Sequence, residues 1–310
     1  MTKNILFGNS RRAQSNRSFW LFLFPSLSAF LLFVIVPFIT GIYYSFTNWS
    51  GLNTGNESFI GFDNYRQILS DPQFGFSFLQ TATYSLLSVI IINIVAFGLA
   101  LLVTQNTILK NVFRAGFFLP NLIGGLVLGY IWQFLYNRAL IVWFEPSLIA
   151  VGNTSILGLA IVVTWQYAGY IMMIYIAALQ NVPQDLIEAA TIDGANAWQR
   201  LRAITFPLVA QAFTIALFLT LVTSFKQYDT VVSLTQSGPA MQMPVWFANL
   251  YGINPITVQS TEVITYNIYE TAFVRFQLGV GQAKAILFFL LIGIFGGLQV
   301  YFTQKREVEM

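Results

Sequence analysis

Residues 180–207 read QNVPQDLIEAATIDGANAWQRLRAITFP, a polar, glycine-broken stretch that carries Asp185, Glu188, Asp193, Arg200 and Arg202 between two strongly apolar runs. Local chemistry divides it into two short helices. Asn181 is expected to cap the first, whose opening turn holds Pro183, where a missing N–H costs little, and Asp185, which suits the positive end of a helix. Leu186, Ala189 and Ala190 then share a face by three- and four-residue spacing. Gly194 permits the left-handed residue that ends this helix. The second helix begins near Asn196 and carries Ala197, Leu201, Ile204 and Leu208 as a stripe, with Arg200 and Arg202 on its wet side. Pro207 opens the next apolar run. A helix, turn and helix of this size is too short and too polar for the interior of a bilayer, and it suits docking into a groove on a soluble partner.

The surroundings are of another kind. Over 310 residues the chain is 56% hydrophobic, 16% aromatic and only 9% charged, which is too apolar for a soluble domain and makes the lipid bilayer its solvent. A transmembrane helix needs roughly 20 apolar residues. Six windows meet that need, at about 19–46, 79–103, 117–136, 156–179, 208–224 and 285–302. A seventh charge-free stretch, 230–261, holds Pro239, Pro244 and Pro255 and reads as a loop, because its backbone is unable to satisfy itself in lipid.

Basic residues set the expected orientation, since Lys and Arg in short loops stay in the cytoplasm. Lys3, Arg11, Arg12 and Arg17 precede the first span, Lys110 and Arg114 follow the second, Arg200 and Arg202 the fourth, and Lys305 and Arg306 the sixth. Both termini are therefore expected inside. A net charge of +3 follows from this bias and does not call for nucleic acid. The first apolar run continues past signal-peptide length and reads as an uncleaved helix. With no Cys and no His the chain has no disulfide, no thiol nucleophile, no serine-histidine pair and no ordinary zinc site. No Gly-Lys dipeptide offers a phosphate-cradling loop, so ATP chemistry is expected on other chains. No carboxylate lies deep in an expected span, which disfavours ion-coupled carriers.

The stretch 180–207 resembles the EAA loop of permease subunits of bacterial ABC importers, with Glu188, Ala189, Ala190, Gly194, Ile204 and Pro207 at the recurring positions and Phe206 where Leu is frequent. FIGFDNYRQIL (59–69), VFRAGFFLPNLIGG (112–125) and LTQSGP (234–239) look like the carbohydrate branch of that family, Ser237 replacing a usual Gly. The resemblance implies an all-α polytopic membrane protein with six transmembrane helices in the type I importer permease fold. It implies a cytoplasmic segment over 1–18, a first helix and outer loop over 19–78, and a permease core over 79–304. That core holds the coupling loop 181–207 and an outer loop 225–283; a cytoplasmic tail covers 305–310. It further implies that Glu188, Ala189, Ala190, Asp193 and Gly194 couple the chain to two ABC ATPase subunits, which carry ATP and Mg, so that no cofactor belongs to this chain. The other implied partners are a homologous second permease and an extracellular or periplasmic solute-binding protein, at a bacterial cell membrane.

Cargo contacts are sought where polar and aromatic side chains meet inside a span. Trp165, Gln166, Tyr167 and Tyr170 lie about 9 to 14 residues from the cytoplasmic end of the fourth span, near mid-bilayer at 1.5 Å per residue. Thr220 and Ser224 share a face of the fifth. A sugar needs aromatic plates with amide and hydroxyl partners, which these residues supply; hydrogen bonding between helices is the plainer role for them. In sugar permeases this part of the fourth and fifth helices lines the cavity. Gly125 with Gly129, and Gly293 with Gly297, are expected to serve helix packing. The apolar set Met241, Met243, Trp246, Phe247 and Tyr251 suggests that the outer loop 240–261 docks the binding protein or plugs the cavity mouth. Lys284, near the outer start of the last span, either snorkels or joins Lys226 as a cavity cation for anionic cargo. The expected function is the permease subunit, itself no enzyme, of an ATP-driven importer of sugars or oligosaccharides. An acidic sugar or glycerol phosphate as cargo, or a carrier working alone, are the alternatives.

Overall fold

The computed structural model describes residues 19–52, 55, 57–105, 108–143 and 145–304. Lys3, Arg11, Arg12, Arg17, Lys305 and Arg306, on which part of the expected orientation rests, lie outside the described residues, as do the expected terminal segments. In chain order the elements begin with α1 (Phe19–Tyr44), α2 (Asp63–Ser70) and α3 (Pro72–Val103), then α4 (Lys110–Leu122) and α5 (Gly125–Val142), which bend through 99° at their junction. After α6 (Gly152–Leu179) and α7 (Gln184–Ile192), a second bent pair, α8 (Ala197–Leu208) and α9 (Ala210–Phe225), turns through 72°. Then follow α10 (Asp229–Thr235), β1 (Ala240–Gln242), α11 (Val245–Leu250), β2 (Thr257–Gln259), α12 (Ile264–Tyr269) and α13 (Leu278–Gln304). The helices α1, α3, α6 and α13 are each long and apolar enough to cross a membrane, and counting each bent pair as one span gives six.

The first bend corrects the expectation of an unbroken third span, while the second falls beside Pro207, at the expected start of the fifth. Ile123 and Gly124 leave the helical region, at ψ 125° and 140°. Pro120 and the Gly124–Gly125 pair explain it, since each Gly costs a helix roughly 1 kcal/mol against Ala and Pro more. At the other bend Pro207 has no N–H for the preceding turn, and Val209 departs from helical geometry at φ −99°, ψ 11°.

The chain forms two compact units. One contains the described residues up to Tyr65 together with Thr271–Ile286; the other contains Arg66–Glu270 and the chain from Leu287 onward. In the first unit Asn64 Nδ2 donates to the Ser45 and Thr47 carbonyls at 2.8 and 2.9 Å, and Tyr44 stacks on Trp49 with ring centres 4.2 Å apart. Gly279 donates to the Trp49 carbonyl at 2.8 Å; a Cβ there would lie 2.3 Å from the Thr47 oxygen, so only glycine fits. Lys284 is 2% exposed and its ammonium donates to Thr271 Oγ1 at 2.9 Å, which replaces the snorkelling reading.

The second unit is built on α3 and α6, packed side by side along their lengths with α9 against both. Tyr84, Ile92, Leu159, Val163, Met172 and Tyr175 are buried between them. α10 lies on α5, where a Cβ at Gly129 would come within 1.9 Å of Ser233 Oγ. This supports packing as the role of Gly125 and Gly129. Gly293 and Gly297 differ, since a Cβ at either meets nothing within 4 Å.

Residues 230–261 form no span, as expected, but are more ordered than a loop. β1 and β2 pair antiparallel with Ala240 opposite Gln259, and α11 sits between them. Met243, Phe247 and Val258 pack on Phe76 of α3, with Met241 and Tyr251 half-buried against them; Trp246 stays 59% exposed. Glu262 fastens the region. Its carboxylate, 1% exposed, accepts from Gln73 Nε2 at 3.1 and 3.0 Å, Ser77 Oγ at 3.1 Å and Asn267 Nδ2 at 2.6 Å. Replacing it by Ala would remove the acceptor of the bonds from Gln73, Ser77 and Asn267. Glu262→Ala should lower stability by about 3 kcal/mol, read as a lower thermal unfolding midpoint of the purified protein; an unchanged midpoint would show that these bonds contribute nothing net.

Candidate functional site

Two features qualify as functional, a projecting helix pair and a polar cavity. The first is the stretch 184–208. Pro183, not Asn181, is the cap residue of α7. A residue before proline is held out of the helical region, so Val182 delays the start, and Asn181 lies in the preceding turn with its N–H on the Ala178 carbonyl at 3.1 Å. Asp185 falls in the first turn as expected. Gly194 has φ +84°, and Ala195 N–H returns to the Ala190 carbonyl at 2.9 Å, closing the helix through a left-handed residue. Asn196 and Gln199 then cap α8 reciprocally, at 2.7 and 2.9 Å. Glu188, Ala189, Asp193 and Gly194 are exposed and Ala190 is half-buried. Ile192 and Trp198 are 86% and 63% exposed, an uncovered apolar pair on a polar element.

The intramembrane candidates are partly brought together. Tyr167, Tyr170, Thr220 and Ser224 meet Ile92 and Thr223 at a seam between α3, α6 and α9 that encloses only about 10 Å³. Thr220 is bound into that seam. Tyr175 Oη donates to Asn93 Oδ1 at 2.6 Å, Asn93 Nδ2 donates to Thr220 Oγ1 at 3.0 Å, and Thr220 donates to the Ala216 carbonyl at 2.8 Å. Such a chain joins helices, and it gives Thr220 the plainer of its two expected roles in this conformation. Ser224 Oγ is buried without a hydrogen-bond partner among the described residues. Trp165 points elsewhere, 45% exposed and edge-on to Trp132 with ring centres 5.6 Å apart.

Open space lies beside the seam. A cavity of about 300 Å³ extends from the middle of α6 to the end of α9, lined by Gln166, Tyr167, Thr223, Lys226, Gln227, Tyr228, Asp229 and Thr230 over Gly125. Gln166 is 4% exposed; its Nε2 donates at 3.2 Å to the Ile123 carbonyl freed by the α4–α5 bend, while its Oε1 has no partner among the described residues. Thr230 Oγ1 is likewise buried and unpartnered. Burial first, and then the neighbouring phenols of Tyr269 and Tyr266 and the Asp229 carboxylate, raise the Tyr228 hydroxyl above its usual range, so it stays protonated at neutral pH. Of the expected cavity cations only Lys226 is here, and Lys284 is not. Sequence reasoning missed Gln227, Tyr228, Asp229 and Thr230. The signal is the polar run KQYDT, 226–230, directly after an apolar span and inside the expected outer loop. Among the described residues no group of acidic side chains is arranged to hold a metal ion.

Arranged this way, the cavity offers an ammonium, a carboxylate, two amides and several hydroxyls, a set that binds hydrogen-bonding solutes and has no nucleophile with an attendant base. Comparison with known proteins agrees with a transport role. The chain is 44% identical over 299 residues to the probable starch degradation products transport system permease protein AmyD of Thermoanaerobacterium thermosulfurigenes, covering 94% of this chain and 96% of that one. It is 28% identical over 303 residues to the multiple sugar-binding transport system permease protein MsmF of Streptococcus mutans serotype c, with 93% and 96% covered. Its fold is similar to a chain of a bacterial ABC transporter involved in the import of the acidic polysaccharide alginate, with a TM-score of 0.75 at 17% identity over 95% of this chain and 98% of that one. Residues 92–308 match the family described as "Binding-protein-dependent transport system inner membrane component", more than half of the chain, and the protein belongs to that family.

Proposed function

We propose that this chain is one of two homologous permease subunits of an ATP-driven importer of sugars or oligosaccharides in a bacterial cell membrane, with its termini in the cytoplasm. The observation that carries this reading is the helix pair closed at Gly194, with no buried residue in its first helix and joined through α8 to the helix that borders the cavity. Two ATPase subunits would hold ATP and Mg and bear on Glu188, Ala189, Ala190, Asp193 and Gly194; a solute-binding protein would deliver cargo on the other side. Closure of the ATPases then biases a two-state switch between inward- and outward-facing forms. The AmyD and MsmF names support sugar as the cargo class.

Gln166 and Tyr170 test the cargo path. In the reconstituted importer, Gln166→Ala and Tyr170→Ala should each lower uptake about tenfold, the loss expected for one or two hydrogen bonds or an aromatic contact, while basal ATP hydrolysis continues. Unchanged uptake in both would assign these side chains to helix packing and move the path away from α6.

A further inference from the structure

We propose that Asp229 makes this cavity select uncharged, hydroxyl-rich cargo and turn away anionic cargo. The inference rests on the importer reading above and settles a choice that reading leaves open. Lys226, taken alone, points to an acidic sugar or a phosphate. The structure sets Asp229 in the same cavity, so the two charges cancel. Among the described residues neither the Lys226 ammonium nor the Asp229 carboxylate makes an ion pair or hydrogen bond with another side chain. Both are exposed to the cavity.

The decisive chemistry is that of the acceptor. The Asp229 carboxylate lining this space only accepts, and among the described residues no side chain donates to it. A sugar ring supplies donors: adjacent hydroxyls can bond both oxygens of one carboxylate, and bonds to a charged group are the stronger kind. A carboxylate or phosphate on the cargo brings acceptors and negative charge to a place already holding both. Repulsion from Asp229 then opposes the attraction of Lys226.

Packing aims Asp229 at this space. It opens α10, and Ser233 Oγ donates to its carbonyl at 2.8 Å. Directly beneath is Gly125, where a Cβ would lie 2.9 Å from Asp229 Cβ and 3.1 Å from Thr230 Oγ1. Gly125 is therefore a positioning residue, and any larger side chain pushes the carboxylate away from its place.

The test uses the purified full transporter without its binding protein, so that the cavity alone discriminates. Saturation-transfer NMR titrations compare a neutral glucose trisaccharide with the same trisaccharide oxidised to a carboxylate at one C6. The unaltered transporter should bind the neutral sugar at least about tenfold more tightly, the discrimination expected of one charge-assisted bond. Asp229→Asn should reduce that ratio to within about threefold. Gly125→Ala should reduce it in the same direction, and it keeps the test open if the Asn variant fails to assemble. Equal binding of both sugars to the unaltered protein, or a ratio unmoved by both variants, would overturn the proposal. No detectable neutral-sugar binding by a transporter that still imports it would also overturn it while the importer reading stands; no import of any saccharide would bring down that reading itself.

Discussion

Gly194→Pro should abolish uptake, by at least about a hundredfold, while the protein still reaches the membrane in normal amount. Gly194 sits at φ +84°, and proline is locked near −65°. The Gly194 N–H that bonds the Thr191 carbonyl at 3.1 Å would also vanish. A residue forced out of a required left-handed conformation costs about 1–3 kcal/mol, and here the strain is relieved by re-aiming α7. No residue of α7 is buried, so the helical bundle loses nothing. What is lost is the angle between α7 and α8, which is the shape offered to an ATPase. Glu188→Lys should act on the same surface by reversing an exposed charge. Uptake and ATPase pull-down are measured together in the reconstituted complex. Normal values of both for the two variants would remove the coupling role from this element.

The same helix pair shows what a sequence makes legible. Gly194 and Asn196 announce their structures because each acts through its own backbone and its nearest neighbours, and both stand as expected. Asn181 misled because proline two residues later restricts Val182, a local rule that outranks the capping preference. The apolar windows were legible for a cruder reason: length and composition alone mark α1, α3, α6 and α13. The bends were harder. Pro120 and Gly124 were visible, but a helix tolerates either if its freed carbonyls find partners, and the partner at Ile123 is Gln166, 43 residues away.

The candidate site was half legible on similar grounds. Gln166 and Tyr167 were found from the oddity of polar groups inside a span, and both line the cavity. Thr220 shares that oddity but is taken up by Asn93 and Ala216, a distinction only packing makes. Asp229 falls in the expected outer loop 225–283, and nothing in its own neighbourhood shows that α10 folds back onto α5. That seat depends on the Gly125 and Gly129 notches, whose spacing was read correctly without its consequence.

Gly169 should prove the least replaceable glycine of the second unit. A Cβ at this position would lie 1.8 Å from the Phe117 carbonyl oxygen, 2.3 Å from its carbon and 2.9 Å from Phe118 N. All three are backbone atoms, so no side chain can swing aside, as Ser233 can opposite Gly129. Lipid offers helices little hydrophobic reason to associate, and close backbone approach supplies much of what holds them together. Gly169→Ala should therefore part α4 from α6 and destabilise the protein by about 3 kcal/mol, the upper end of ordinary overpacking. Gly293→Ala, at a site with nothing within 4 Å, should stay within about 0.5 kcal/mol of the unaltered protein. Membrane yield and thermal unfolding midpoint in detergent decide it, and equal midpoints for the two variants would mean that α4 and α6 cross farther apart than described. A functional effect should follow even where the Gly169 variant survives. The displaced helix carries the bend whose Ile123 carbonyl holds Gln166, so moving α4 releases the amide that lines the cavity.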